Sequence, residues 1–105
     1  MTPKPKSSLF LREIDLIRIR EIFQKFLPSA SIYAYGSRVN GDAHDGSDLD
    51  LAILSSDGME IPMDVLSKLR ESFQESNIPI LIDFHDFARL PLAFREKILR
   101  DHVRI

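Results

Sequence analysis

The sequence predicts an α+β domain in which a small mixed β-sheet is flanked by helices. Three observations carry the prediction. Apolar residues recur at helical spacing in separate segments, strand-like runs stand between them, and proline or glycine punctuates most junctions. The elements follow in the order α, β, β, α, β, α, with no internal repeat or low-complexity segment. At 105 residues the chain suits one core and is too short for two domains. Residues 1–105 are read as a single domain, with residues 1–8 a flexible polar tail.

Each element has a local reason. Leu16, Ile19, Phe23 and Phe26 share one helix face, so a first helix runs from residue 9 or 12 to residue 26, ahead of Pro28. ASIYAYG, residues 30–36, is short, β-branched and aromatic and stops at a glycine, which makes it the first strand. DLDLAIL, residues 48–54, alternates: Leu49, Leu51 and Ile53 lie on one face, and Asp48, Asp50 and Ala52 on the other. After the SSDG turn, Pro62 suits a first helical position, and Leu66, Leu69 and Phe73 continue at helical spacing in a crossover helix. IPILIDF, residues 78–84, reads as the third strand. Pro91 opens a last helix, PLAFREKILRD, and HVRI offers a short terminal strand.

Composition narrows the function classes. The chain is 44% apolar and 29% charged, an ordinary balance for a globular protein. A net charge of -2 gives no basic footprint for duplex phosphates, so direct duplex nucleic-acid binding is not expected. Cysteine is absent, which removes disulfides, thiolate metal sites and cysteine nucleophiles together. The N-terminal segment holds no apolar stretch long enough for a signal peptide or membrane span, and a cytoplasmic protein without membrane association is expected.

The chemistry concentrates in YGSRVNGDAHDGSDLDLAI, residues 35–53. Strand alternation turns Asp48 and Asp50 the same way, about 7 Å apart along the chain. Two like charges so placed raise each other's energy unless a cation sits between them. Mg²⁺ suits that place, because it accepts one or two carboxylates and completes its shell with waters and substrate phosphates. Asp83 interrupts an apolar strand where a hydrophobic residue is the default, and it joins the pair if the third strand lies beside the second. Three such acids would hold one or two divalent ions, the arrangement for in-line displacement at phosphorus. Gly36 and Ser37 offer backbone N–H groups and a hydroxyl to a phosphate, and Arg38 adds a cationic clamp.

Other motifs fail on their own rules. Gly36 and Gly41 have the spacing of a P-loop, but Asp-Ala follows where Lys and then Ser or Thr are required. No frame of DAHDGSDLD meets the acid and glycine positions of an EF-hand. Asp42 and Asp45 read as solvated loop acids. His44, His85 and His102 show no metal-ligand spacing and are left out of the site, and Tyr33 and Tyr35 read as core or strand-face residues.

Gly36-Ser37, then ten residues, then Asp48-x-Asp50 resembles the signature of the polymerase-beta-type nucleotidyltransferases. The resemblance is greatest to the minimal nucleotidyltransferases, the MntA-like antitoxins of HEPN toxin/antitoxin pairs, and it extends over all but the first ten or so residues. It implies the nucleotidyltransferase fold, with metal held by Asp48, Asp50 and Asp83 and the triphosphate of a nucleotide held at Gly36 and Ser37. It further implies transfer of a nucleoside monophosphate, AMP from ATP, to a hydroxyl of a partner protein, a tyrosine of a HEPN toxin. Two other functions remain open: an antitoxin that binds without catalysis, and nucleotidyl transfer to a small molecule.

Overall fold

The computed structural model describes residues 9–41, 43–44 and 46–105. The tail expected over residues 1–8 and the loop acids Asp42 and Asp45 lie outside the described residues. Helix α1 (Glu13–Phe26) leads to strand β1 (Ser31–Tyr35), a single helical turn α2 (Ser37–Asn40) and strand β2 (Leu49–Leu54). Helix α3 (Met63–Glu75) crosses to strand β3 (Ile82–Asp86); a 3-10 turn, Phe87–Arg89, then leads to helix α4 (Leu92–Arg100) and strand β4 (Val103–Arg104). The sheet order is β3-β2-β1-β4, parallel between β2 and β3 and antiparallel elsewhere. This is the small mixed sheet that the sequence predicts.

Two elements differ from expectation. Strand β3 is Ile82–Asp86 rather than residues 78–84. A parallel ladder is set by its partner, and this one begins where the Leu49 N–H donates to the Leu81 carbonyl at 2.9 Å, with Leu49 opposite Ile82. Pro79, inside the expected strand, has no N–H for a ladder. Ile78 and Ile80 still pack on the core, so their hydrophobicity marks burial and not pairing. The second difference is α2, which sequence periodicity cannot register because it is one turn long. Its turn closes when the N–H groups of Val39 and Asn40 both donate to the Gly36 carbonyl at 3.0 Å.

The sheet has two unequal faces. Ile32, Ala34, Leu49, Leu51, Ile53 and Phe84 form one of them, and α1 and α3 cover it with Ile19, Phe23, Leu66 and Leu69. Phe73 bridges the layers, edge-on to Phe23 at 5.4 Å and tilted against Phe84 at 5.9 Å. Each such fully buried side chain contributes about 1.5–3 kcal/mol, so this layer holds most of the fold's hydrophobic stabilisation. On the opposite face Tyr33, Tyr35 and Ala52 meet Phe87 and Ile98 of α4 in a smaller cluster. Helix α4 therefore covers only part of that face, and the carboxylates stand on the remainder.

The far end of the sheet is locked by buried polar groups. Asp86 accepts from the Ile61 N–H at 2.7 Å, the Ala88 N–H at 3.2 Å and Arg89 Nε at 3.1 Å, while Arg89 Nη2 donates to the Ile61 carbonyl at 3.0 Å. The entry to α3 is thereby tied to the end of β3. Among the described residues no helix is long and apolar enough to cross a membrane.

Candidate active site

Strand pairing sets three site side chains in one row. Tyr35 is the antiparallel partner of Asp50, and Asp50 is the parallel partner of Asp83. Registered partners share a face, so Asp83, Asp50 and Tyr35 project together across about 10 Å of sheet, two strand spacings. Asp48 precedes β2 on the exposed entrance and lies close enough to repel Asp50. The register thus sets Asp50 and Asp83 side by side on one face, with Asp48 at the strand entrance near Asp50.

Gly36 closes the row. Its φ of 79° and ψ of -153° belong to a region that only glycine occupies freely. A Cβ built there would stand 2.6 Å from Asp50 Oδ2, inside any tolerable contact. The absent side chain is what lets the turn at the end of β1 lie against the Asp50 carboxylate. Ser37 opens α2 immediately after it.

Arg38 takes a different role from the one expected. It is buried, with Nε donating to the Ser47 carbonyl at 2.9 Å and Nη1 to the Phe10 carbonyl at 2.7 Å, and its guanidinium lies over the Phe10 ring. The Phe10 N–H donates back to the Arg38 carbonyl at 2.7 Å. The guanidinium is committed to the chain, so the phosphate-clamp expectation is corrected: Arg38 anchors the residue before Asp48. Arg38→Ala should lower the unfolding free energy by about 2–4 kcal/mol, since a buried guanidinium and its charge-assisted bonds to two backbone carbonyls are lost. Arg38→Lys, with one point charge for two carbonyls, should recover only part of it. Equilibrium urea unfolding of the three proteins reads this directly.

Electrostatics single out Asp50. Burial pushes its carboxyl above the ordinary 3.8, Asp83 and then Asp48 push it further, and His85 pulls it back. A cation beside these oxygens would relieve that strain, and an all-oxygen donor set suits a hard divalent ion such as Mg²⁺. Among the described residues no group of three or more His, Cys, Asp or Glu is arranged to hold a metal ion. What recommends Mg²⁺ is instead the paired Asp50 and Asp83, since that ion needs only one or two carboxylates and completes its shell with waters and substrate phosphates. The residues present therefore fit the ion.

Two site residues escaped the sequence reading. His85 stands two residues after Asp83 on the same strand face, with Nε2 3.3 Å from Asp83 Oδ2. Its signal is the Asp-x-His alternation, hidden when the strand is ended at Phe84. His44 stays in its loop, accepting from the Gly46 N–H at 3.0 Å, and His102 packs on Tyr33. Tyr35 is the second: a strand-face residue, as expected, but one that abuts the acids and packs edge-on against Phe94 at 5.7 Å. Burial first, then Asp50 and Asp83, push its phenol up to about 12. In a Tyr33→Phe background, phenolate absorbance should therefore rise near pH 12, and Asp50→Asn should lower that midpoint without restoring 10.0, because burial remains. A midpoint at 10.0 in the unsubstituted site would mean that the ring does not sit beside the carboxylates.

The chain is similar to known proteins over most of its length. The family model described as Polymerase beta, Nucleotidyltransferase matches residues 9–105. A Haemophilus influenzae protein, named probable protein adenylyltransferase MntA, is 39% identical over 101 residues, covering 94% of this chain and 85% of its own. Two solved structures share the fold at 20% identity. One, a toxin-antitoxin crystal structure with AMP-PNP, superposes with a TM-score of 0.69 over 90% of this chain and 72% of its own. The other, a candidate minimal nucleotidyltransferase, gives 0.67 over 89% and 94%.

Proposed function

Because the chain belongs to the polymerase-beta-type nucleotidyltransferase family, we propose that it transfers AMP from ATP to a hydroxyl of a partner protein and so acts as an antitoxin. The acceptor in this reading is a tyrosine of a HEPN-domain toxin. The observation that carries it is the row of Asp83, Asp50 and Tyr35 closed by Gly36; in this reading the acids would hold the metal and the turn would cradle the phosphates. The name of the Haemophilus influenzae relative supports protein as the acceptor, and the toxin-antitoxin neighbour with AMP-PNP supports both an adenine nucleotide and a toxin partner. A cytoplasmic location, where ATP is at hand, is part of the same reading.

The chain's residues divide the work by position. Asp48, Asp50 and Asp83 would hold one or two Mg²⁺ ions, which when bound polarise the α-phosphate and offset charge on the leaving pyrophosphate. Gly36 and Ser37 receive the β- and γ-phosphates on backbone N–H groups and the Ser37 hydroxyl. The acceptor oxygen bonds to the α-phosphorus from the Asp83 side. The bridging bond to the β-phosphate breaks, and its electron pair leaves with pyrophosphate. The acceptor proton passes to Asp83 or to water beside it, with His85 orienting that carboxylate.

The test is transfer of label from α-labelled ATP, with Mg²⁺, onto the protein encoded by the neighbouring gene. Label on a tyrosine of that protein, dependent on Asp48 and Asp50, supports the reading. A stable unlabelled complex, formed equally by an Asp48→Ala/Asp50→Ala variant, would make this a binding-only antitoxin. Label on a small molecule alone would remove the protein acceptor.

A further inference from the structure

A cavity of about 230 Å³ opens beside the Gly36 turn, between α2 and α4, lined by Tyr35, Gly36, Asn40, Phe94, Lys97 and Asp101 among others. From this cavity we infer that Lys97 takes the β- and γ-phosphates of the nucleotide and the pyrophosphate they become. The inference rests on the nucleotidyl-transfer reading and assigns a residue that the strand-entrance motif does not contain.

The direction of the reaction carries it. In-line displacement needs the acceptor oxygen, the phosphorus and the leaving oxygen on one line. The row across β3, β2 and β1 supplies that line, with Asp83 at one end and Tyr35 and Gly36 at the other. An acceptor arriving at Asp83 therefore sends pyrophosphate past Gly36, into the space that Lys97 borders. Charge makes the same demand. The acids at the row are anionic, the leaving group is multiply anionic, and Arg38, the cation next to the turn in sequence, is committed to the Ser47 and Phe10 carbonyls. Lys97 is the lysine on the cavity wall, carried there by α4, whose Ile98 anchors the helix in the smaller core cluster. Asp101, one turn further on, lines the same wall, so a multiply charged anion is needed to outweigh it.

The experiment is calorimetric titration with Mg²⁺ of inorganic pyrophosphate, of an ATP analogue with an uncleavable α–β linkage, and of AMP. Lys97→Ala should weaken pyrophosphate and the analogue about 10- to 100-fold, the range for one charge-assisted contact, and leave AMP within about twofold. Lys97→Arg should restore most of the loss. Arg100→Ala removes a positive charge from the same helix outside the cavity and should match the parent, as should the thermal midpoint of Lys97→Ala. Pyrophosphate binding by Lys97→Ala within twofold of the parent overturns the assignment. Equal weakening of AMP and pyrophosphate would also overturn it, because loss would then not track the β- and γ-phosphates. If the parent binds neither pyrophosphate nor the analogue, the nucleotidyl-transfer reading fails and the Lys97 assignment fails with it.

Discussion

Asp50→Asn should cut nucleotidyl transfer by about a thousandfold or more, while leaving the free protein at least as stable as the parent at neutral pH. Activity falls because a neutral amide of the same shape gives up the charge that holds the divalent ion. Stability follows the opposite sign. The Asp50 carboxyl is held above its ordinary 3.8 in the folded protein, so folding disfavours its charged form. That penalty is absent below the unfolded-state value, grows as pH rises through the raised folded value, and is complete above it. The variant carries no such penalty, so the two stabilities should diverge over that window in the variant's favour. Added Mg²⁺ should narrow the gap by stabilising the parent alone. Retention of a tenth of the activity by Asp50→Asn would sink the metal-ligand role.

Gly36→Ala should be comparably damaging to activity, about a hundredfold or more, but by geometry instead of charge. Two separate faults coincide at this position. A side chain at φ 79° and ψ -153° costs about 1–3 kcal/mol of backbone strain, and the new methyl would stand 2.6 Å from Asp50 Oδ2. The carboxylate would have to turn away from the row, or the turn from the strand. Gly41 separates the two faults. It has φ 94°, yet a Cβ there would meet nothing within 4 Å among the described residues. Gly41→Ala should lose stability with little change in kcat, whereas Gly36→Ala should lose stability and kcat together. Equal kcat in both variants would show that Gly36 is kept for conformation only.

Much of this architecture can be read from residues alone, and the gaps have physical causes. Alternation places Asp48 and Asp50 on one face without any structure, because the strand's period is two. An acid inside ILIDF stands out against its apolar neighbours, although Asp83 is exposed in the folded chain, so the burial expected of it from sequence is not what holds it there. The alignment of β3 with β2 is a different kind of fact, fixed by pairing and not by hydrophobicity, and ending the strand at Phe84 is what removed His85 from view. Arg38 shows the opposite failure. Next to Gly36 and Ser37 it looks like part of the cradle, and only the folded chain reveals the Ser47 and Phe10 carbonyls that hold it. Phe94 and Lys97 are further still from local signals, since α4 meets the Gly36 turn through tertiary packing alone.

The register that sets Tyr35 opposite Asp50 also decides where the chain tolerates gain or loss of residues. One residue inserted between Asp50 and Leu51 would flip one part of β2 relative to the other, exchanging the carboxylate face for the core face. The chain between α2, which ends at Asn40, and β2, which begins at Leu49, joins the two halves of the site. Lengthening it costs little, about 0.6 kcal/mol per doubling of a flexible loop. Descendants of this sequence should therefore vary in the number of residues between Gly41 and His44 while conserving the count from Ser47 to Leu51, a pattern that marks the catalytic frame by its length rather than by its residues.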